Sequence, residues 1–358
     1  MGIIAFIMTV CSSAVSSVPQ IIILPITSEF GWQISDVSNA IGVMFIVLGC
    51  CAPFAGALML KIGLRNVGIL AMGLSVSGLF LTMLAFREWH LLVTIGVFFG
   101  AAAGIIGLGL AATVATRWFV ARRGLVVGVL ASAFAAGQLL FVPVMAWITT
   151  VADWRVALLI PIGGGILSAI LFLLFSRNWP SDLGLPPFGE KEIFLPPENQ
   201  EMNIFSTSFQ VLFDALKHPA FWILSATFMI CGLSSTGIVG QHFIPFCADN
   251  NVGIVAASSF LAVMGVFNFL GTIGSGWLSD RFDNFKLLMW YYGLRALSLF
   301  YLPFSGFEFY TLILWAVFFG LDYISTVPPT VKLTGRYFGQ VKGPILFGWI
   351  FAVHQFGS

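Results

Sequence analysis

Charge is what this chain has least of. Asp, Glu, Lys and Arg together make 9% of its 358 residues, against about 25% in soluble domains, which excludes a large soluble core. A formal net charge of +1 leaves no basic surface for nucleic acid, and no such partner is expected. The five cysteines (Cys11, Cys50, Cys51, Cys231, Cys247) stand in or beside apolar runs. They lack the spacing of a zinc site or a disulfide framework, so they are read as small packing residues, and neither metal nor cofactor is expected. No Ser/His/Asp grouping or phosphate loop occurs at usable spacing, which argues against an enzyme. No short apolar leader with a cleavage site stands at the front. The run from Gly2 to about Ile26 is long enough to cross a bilayer core of about 30 Å.

What is present is hydrocarbon. Hydrophobic residues make 59% of the chain, and apolar runs between charge and Gly/Pro punctuation predict an all-α polytopic membrane protein. Spans fall near 2–26, 36–60, 66–86, 89–116, 124–150, 156–176, 220–246, 252–279, 287–304, 309–331 and 343–358. One set of loops holds Lys61, Arg65, Arg117, Arg122, Arg123, Arg177, Lys191, Lys217, Arg281, Lys286, Arg336 and Lys342, whereas the other holds only Arg87 and Arg155. Positive residues stay in the cytoplasm, so the amino terminus and the 178–219 segment are placed there. That segment, rich in Pro, Gly and mixed charge, is read as a linker between a first bundle (1–177) and a second (220–358).

The two halves repeat. An offset of 220 joins Gly56 to Gly276, Lys61 to Arg281, Pro25 to Pro245, "FFG" at 98–100 to "FFG" at 318–320, and Gly128 to Gly348. Orientation is kept only if the repeat carries an even number of spans, so parallel halves of six are expected. By that offset the second bundle should be truncated within its eleventh span.

At these residues the chain resembles the major facilitator superfamily, a two-bundle fold of 6+6 helices. The loop "GALMLKIGLR" (56–65) is similar to the family's gating motif through Gly56, Lys61, Gly63 and Arg65, with Leu60 where the acid stands. The second copy, "GWLSDRFDNFK" (276–286), keeps Gly276, Asp280 and Arg281. The resemblance implies a charged cytoplasmic latch that holds one gate closed. Further, "RWFVARRGLVVGVLASAFAAG" (117–137) resembles the fifth-span signature of the monocarboxylate and oxalate/formate-type transporters. The eighth span departs from that subgroup, having no basic residue before Arg281.

Arg295 stands inside the apolar run "YYGLRALSLFYLPF" (291–304). An ionised group at mid-bilayer costs about 2.5–3.5 kcal/mol on insertion scales and so requires a partner or water. Arg295 lies about 13 Å in from Lys286, and Asp322 about 21 Å in from Glu308 on the opposite side. The two are expected to meet, either as a brace between spans nine and ten or as a proton-titrating carboxylate with its counter-charge. Pro328 and Pro329 are expected to bend the tenth span. Further solute or proton candidates are Asn268, His354 and Gln138 at similar depth, and Gln241 with His242 at an outer gate. Ser12, Ser16 and Gln20 share one face of the first span, either a packing stripe or a binding wall.

The resulting expectation is a multi-pass cell-membrane protein, monomeric in the lipid bilayer. It would be a secondary active transporter moving a small organic solute by alternating access as a proton symporter, with a carboxylate as the favoured class. An exporter of apolar compounds and a transporter-derived solute sensor are the alternatives.

Overall fold

The computed structural model describes residues 1–194 and 203–358. Apolar runs in lipid must satisfy their own backbone hydrogen bonds, and helices do so within one segment. Among the described residues nine helical stretches are long and apolar enough to cross a membrane. The first bundle comprises α1 (Gly2–Phe30), α2 (Ile34–Lys61), α3 (Gly63–Met83), α4 (Glu88–Trp118), α5 (Arg123–Val151) and α6 (Trp154–Phe175). A shorter α7 (Ile204–Ala215) follows. The second bundle begins with α8, which runs from Pro219 through a wide π-helical stretch at Gly232–Gln241. Then come α9 (Ile254–Ser279), α10 (Asn284–Tyr301), α11 (Phe309–Asp322) and α12 (Val327–Gly357).

Close helix contacts reproduce the 220-residue offset. A methyl group on Gly56 would lie 2.7 Å from the Ile345 nitrogen, and one on Gly276 would lie 2.5 Å from the Gly124 oxygen and 3.0 Å from Leu125 Cα. Subtracting 220 from Pro344 and Ile345 gives Gly124 and Leu125. Likewise Gly348 faces the Ala52 carbonyl and Gly128 the Thr272 carbonyl. Inside the bundles, Gly100 sits on Met44 and Val47 while Gly320 sits on Met264 and Phe267. Small residues let helix backbones approach where no hydrophobic force separates helix from lipid. The bundles therefore meet along two pseudo-equivalent seams, α2 against α12 and α5 against α9.

Both halves break their fourth span at the same place. In α4 the helix kinks at Gly107, and 220 residues later α11 has ended at Asp322 and α12 restarts at Val327. Pro328 and Pro329 do not bend a continuous helix, as the sequence suggested. They occupy the first turn of a new one, where missing N–H donors cost nothing. The expected loop over 332–342 shortens to a break at Gly339 (φ 79°, ψ 178°), where α12 divides into two helices that fold back on each other, so that a methyl group on Gly343 would lie 3.3 Å from Gly335 Cα.

The linker too is more ordered than its composition suggests. Its first part folds back on the first bundle at the end rich in basic residues. The Asn178 side-chain oxygen accepts from the Arg65 nitrogen (3.3 Å), and Phe188 exchanges backbone bonds with Trp118, Val120 and Ala121. The fully buried guanidinium of Arg117 lies 4.4 Å from the Trp179 ring.

Candidate functional site

Arg295, 2% exposed, is held inside the second bundle by every donor it has. Nε donates to Asp322 Oδ2 at 2.6 Å. Nη2 donates to the carbonyls of Asp322 (2.6 Å) and Tyr323 (3.1 Å), which lie in the break between α11 and α12. Nη1 reaches Cys231 Sγ (2.9 Å) and Ser234 Oγ (3.4 Å) on α8. A guanidinium offers five N–H groups in a fixed fork, and five acceptors surround this one. Helix ends leave carbonyls without intrahelical partners, so Arg295 both pairs with Asp322 and caps the helix that carries it.

The carboxylate is less completely satisfied. Asp322 Oδ1 is buried and accepts no hydrogen bond. Around it, Cys231 Sγ lies 3.2 Å from Thr326 Oγ1, Ser275 donates to the Ser325 carbonyl at 2.5 Å, and the Tyr323 hydroxyl donates to the Ser235 carbonyl at 3.3 Å. The break is thus held by polar groups from α8, α9 and α10. Cys231 is a correction to the sequence reading, because it touches Arg295 and is no mere packing residue. Its signal was faint: an isolated thiol in an apolar run gives no hint of a charge 64 residues away.

Among the described residues, only His354 of the other candidates comes near this pair, within side-chain hydrogen-bond reach of Cys231. Asn268 is buried and accepts from Thr272 one turn along α9 (3.1 Å). His354 sits against Phe228 and Phe351, its Nδ1 2.9 Å from Gln355 Oε1. Ser16 donates to the Ser12 carbonyl one turn back in its own helix. Gln138 is half-buried on α5 and His242 is exposed. The side chains of Gln20 and Gln241 lie outside the described residues.

The second gating motif forms a built contact between bundles. The Asp280 carboxylate accepts from the backbone nitrogens of Gly124 (2.8 Å) and Leu125 (2.9 Å), at the start of α5. A helix start offers free N–H groups and partial positive charge. Lys332 Nζ completes the contact, 2.9 Å from Asp280 Oδ1 and 2.6 Å from the Ser279 carbonyl. Sequence reasoning missed Lys332, which it left at the edge of the tenth span (309–331), where a lysine is an ordinary end-of-span cation. Arg281 instead covers the Trp277 ring at 3.8 Å.

The first copy of this contact has lost its acid, its lysine and one of its two backbone donors. Subtracting 220 from Asp280 and Lys332 gives Leu60 and Ala112, and adding 220 to Gly124 gives Pro344, which has no N–H. Lys61 is exposed, while Gly63 (φ 85°) and Arg65 hold the linker through Asn178. Leu60→Asp should therefore not restore a second latch. Leu60 is partly buried among apolar neighbours, and a carboxylate there would meet at most one of the three donors, so its desolvation should make the variant unfold at lower temperature than the parent. An unchanged or higher midpoint would show that the carboxylate finds partners there.

A cavity of about 560 Å³ lies between α8 and α10, lined by Thr227, Ser234, Leu288, Tyr292, Arg295 and Ala296 among others. In the first half the equivalent slot is filled by α6, whose Phe172 packs on Gly68 and whose Gly165 packs on Val76. Adding 220 to Gly68 and Val76 gives Leu288 and Ala296. The cavity has the place of a helix, not of a solute.

Two bundles related by a constant offset, meeting along paired seams and broken at matching points within them, define the class of a two-bundle membrane carrier. The family model of the Major Facilitator Superfamily matches residues 5–358, and the chain belongs to that superfamily. It is 27% identical to the MFS-type transporter YcxA of Bacillus subtilis (strain 168), over 94% of this chain and 79% of that one. It is 24% identical to monocarboxylate transporter 12-B of Danio rerio, covering 96% and 76%. The oxalate:formate antiporter of Oxalobacter formigenes is 22% identical, covering 78% and 62%. Among solved structures, the proton:xylose symporter XylE superposes with a TM-score of 0.72 at 14% identity, covering 98% of this chain and 85% of that one. The transporter FucP in its outward conformation gives 0.74 at 14% identity, covering 99% and 88%. At such identity these likenesses speak for the fold.

Proposed function

We propose that the protein moves a small organic carboxylate across a cell membrane by alternating access, in symport with protons. The basic end of the bundles is the cytoplasmic end, following the placement of lysine and arginine. The observation that carries the coupling is Asp322 Oδ1, a buried carboxylate oxygen without a partner, beside a broken helix and a fully engaged arginine. Broken helices near the bilayer midplane are where secondary transporters place solute and coupling ion. Asp322 would take up a proton at Oδ1 while Arg295 keeps its five contacts. The carboxylate class is supported by the relatives, a monocarboxylate transporter and an oxalate:formate antiporter.

One observation favours a second reading, the export of apolar compounds. The helix α9 carries no cation along its membrane length, and its buried amide Asn268 is bonded to its own neighbour Thr272. Reconstituted protein separates the two. An inward proton gradient should drive accumulation of short-chain mono- or dicarboxylates in proteoliposomes, and a protonophore should abolish it. Proton-driven movement of apolar dyes without carboxylate uptake would favour the exporter.

A further inference from the structure

We infer that the linker helix α7 is a clamp across the α2–α12 seam and replaces the charge latch which that seam has lost. The inference rests on the alternating-access reading above, in which the cytoplasmic ends of both seams must part.

The α5–α9 seam is closed by Asp280, the start of α5 and Lys332. Its pseudo-equivalent, α2–α12, offers Leu60, Pro344 and Ala112 at those positions and cannot make any of the three bonds. Helix α7 lies there instead, in contact with both α2 and α12. One side chain joins all three elements. Ser208, fully buried, donates to the Pro53 carbonyl on α2 at 2.7 Å. Its hydroxyl and its own carbonyl both accept from Trp349 Nε1 on α12, at 3.1 and 3.2 Å. Rings reinforce the joint. Phe54 of α2 packs on Phe205 and Phe209 of α7, and Phe209 packs on Trp349 with centroids 5.3 Å apart. At the helix end, Asp214 pairs with Lys342 of α12 at 3.2 Å.

The rest of the helix fits that place. Val211 and Ala215 are buried in one cluster with Ala57 of α2 and Ile345 of α12, and Leu60 packs against that cluster. The leucine that removed the acid thus supplies packing beneath the clamp. On the outer face, Phe205 and Phe213 are exposed at 63% and 60%. Pro53 is eight residues inside the end of α2, about 12 Å by helical rise, so this face meets acyl chains rather than water. A helix held by one bundle alone could ride with it. This one is bonded to both, so the seam cannot part without breaking the Ser208 contacts on one side.

The test uses Ala57→Cys, a fully buried position on α2, in the full chain with Cys50 and Cys51 changed to Ser. Labelling by a membrane-impermeant maleimide from the cytoplasmic face reports opening of the seam. Ser208→Ala and Trp349→Phe should each raise the labelling rate about fivefold, as expected for a lost hydrogen bond of about 1 kcal/mol. Ser208→Thr should return the parental rate, and the mild exposed variant Asp214→Asn should raise it less. Unchanged rates in the variants, with native elution by size exclusion, would overturn the clamp. Labelling that never responds to protons or carboxylates in any variant would instead count against alternating access.

Discussion

Arg295→Gln and Asp322→Asn should each destabilise the folded protein severely, while the double substitution recovers part of the loss. Removing one member of a buried pair leaves the other charge uncompensated, at a cost of about 3–5 kcal/mol. The two single changes should not be equal. Asp322→Asn leaves a guanidinium with four of its five acceptors in place, whereas Arg295→Gln also takes a donor from the carbonyls of Asp322 and Tyr323, the former keeping only the Ser325 nitrogen. The arginine variant should therefore be the less stable, with the double variant between it and the parent. Thermal unfolding in detergent reads the order. Strictly additive losses would contradict the 2.6 Å contact.

Asp280→Asn should open the α5–α9 seam at the end rich in basic residues. The substitution removes the charge shared with Lys332 and one acceptor for the start of α5. A lost helix-capping acceptor costs about 0.5–2 kcal/mol, which corresponds to a shift of up to about 30-fold in the closed-to-open ratio. Spin labels on Arg122 and Arg281, both exposed and flanking the α5–α9 seam, should show a distance distribution moved to longer values. Lys332→Met should give a smaller shift in the same direction. An unmoved distribution in both variants would mean that helix packing alone closes this side.

Sequence and structure agreed where the physics is long-range and repeated. The 220-residue offset was legible because close helix approach demands small residues at fixed places, and Gly56, Gly128, Gly276 and Gly348 meet backbone at matching positions. Arg295 and Asp322 were legible because a charge in hydrocarbon needs a partner and few stand at that depth. The break at Gly107 was not, since one glycine among 38 in the chain carries no local mark of a kink. Helix α7 was hidden for another reason. Its outer face is apolar too, with Phe205 and Phe213 exposed, so no polar side marks it as an amphipathic surface helix, and it follows a stretch whose prolines and charges suggest a flexible connection. Lys332 escaped because it stands just past the predicted end of the tenth span and its partner, an aspartate 52 residues earlier, lies on another helix of the same bundle.

The most direct test of the account is transport by the Arg295→Gln/Asp322→Asn double variant in proteoliposomes. If Asp322 carries the proton, the folded double variant exchanges internal for external carboxylate at a rate near the parent's, yet does not accumulate it under an inward proton gradient. Accumulation equal to the parent's would contradict the account and leave the pair as a brace between α10 and the broken helix.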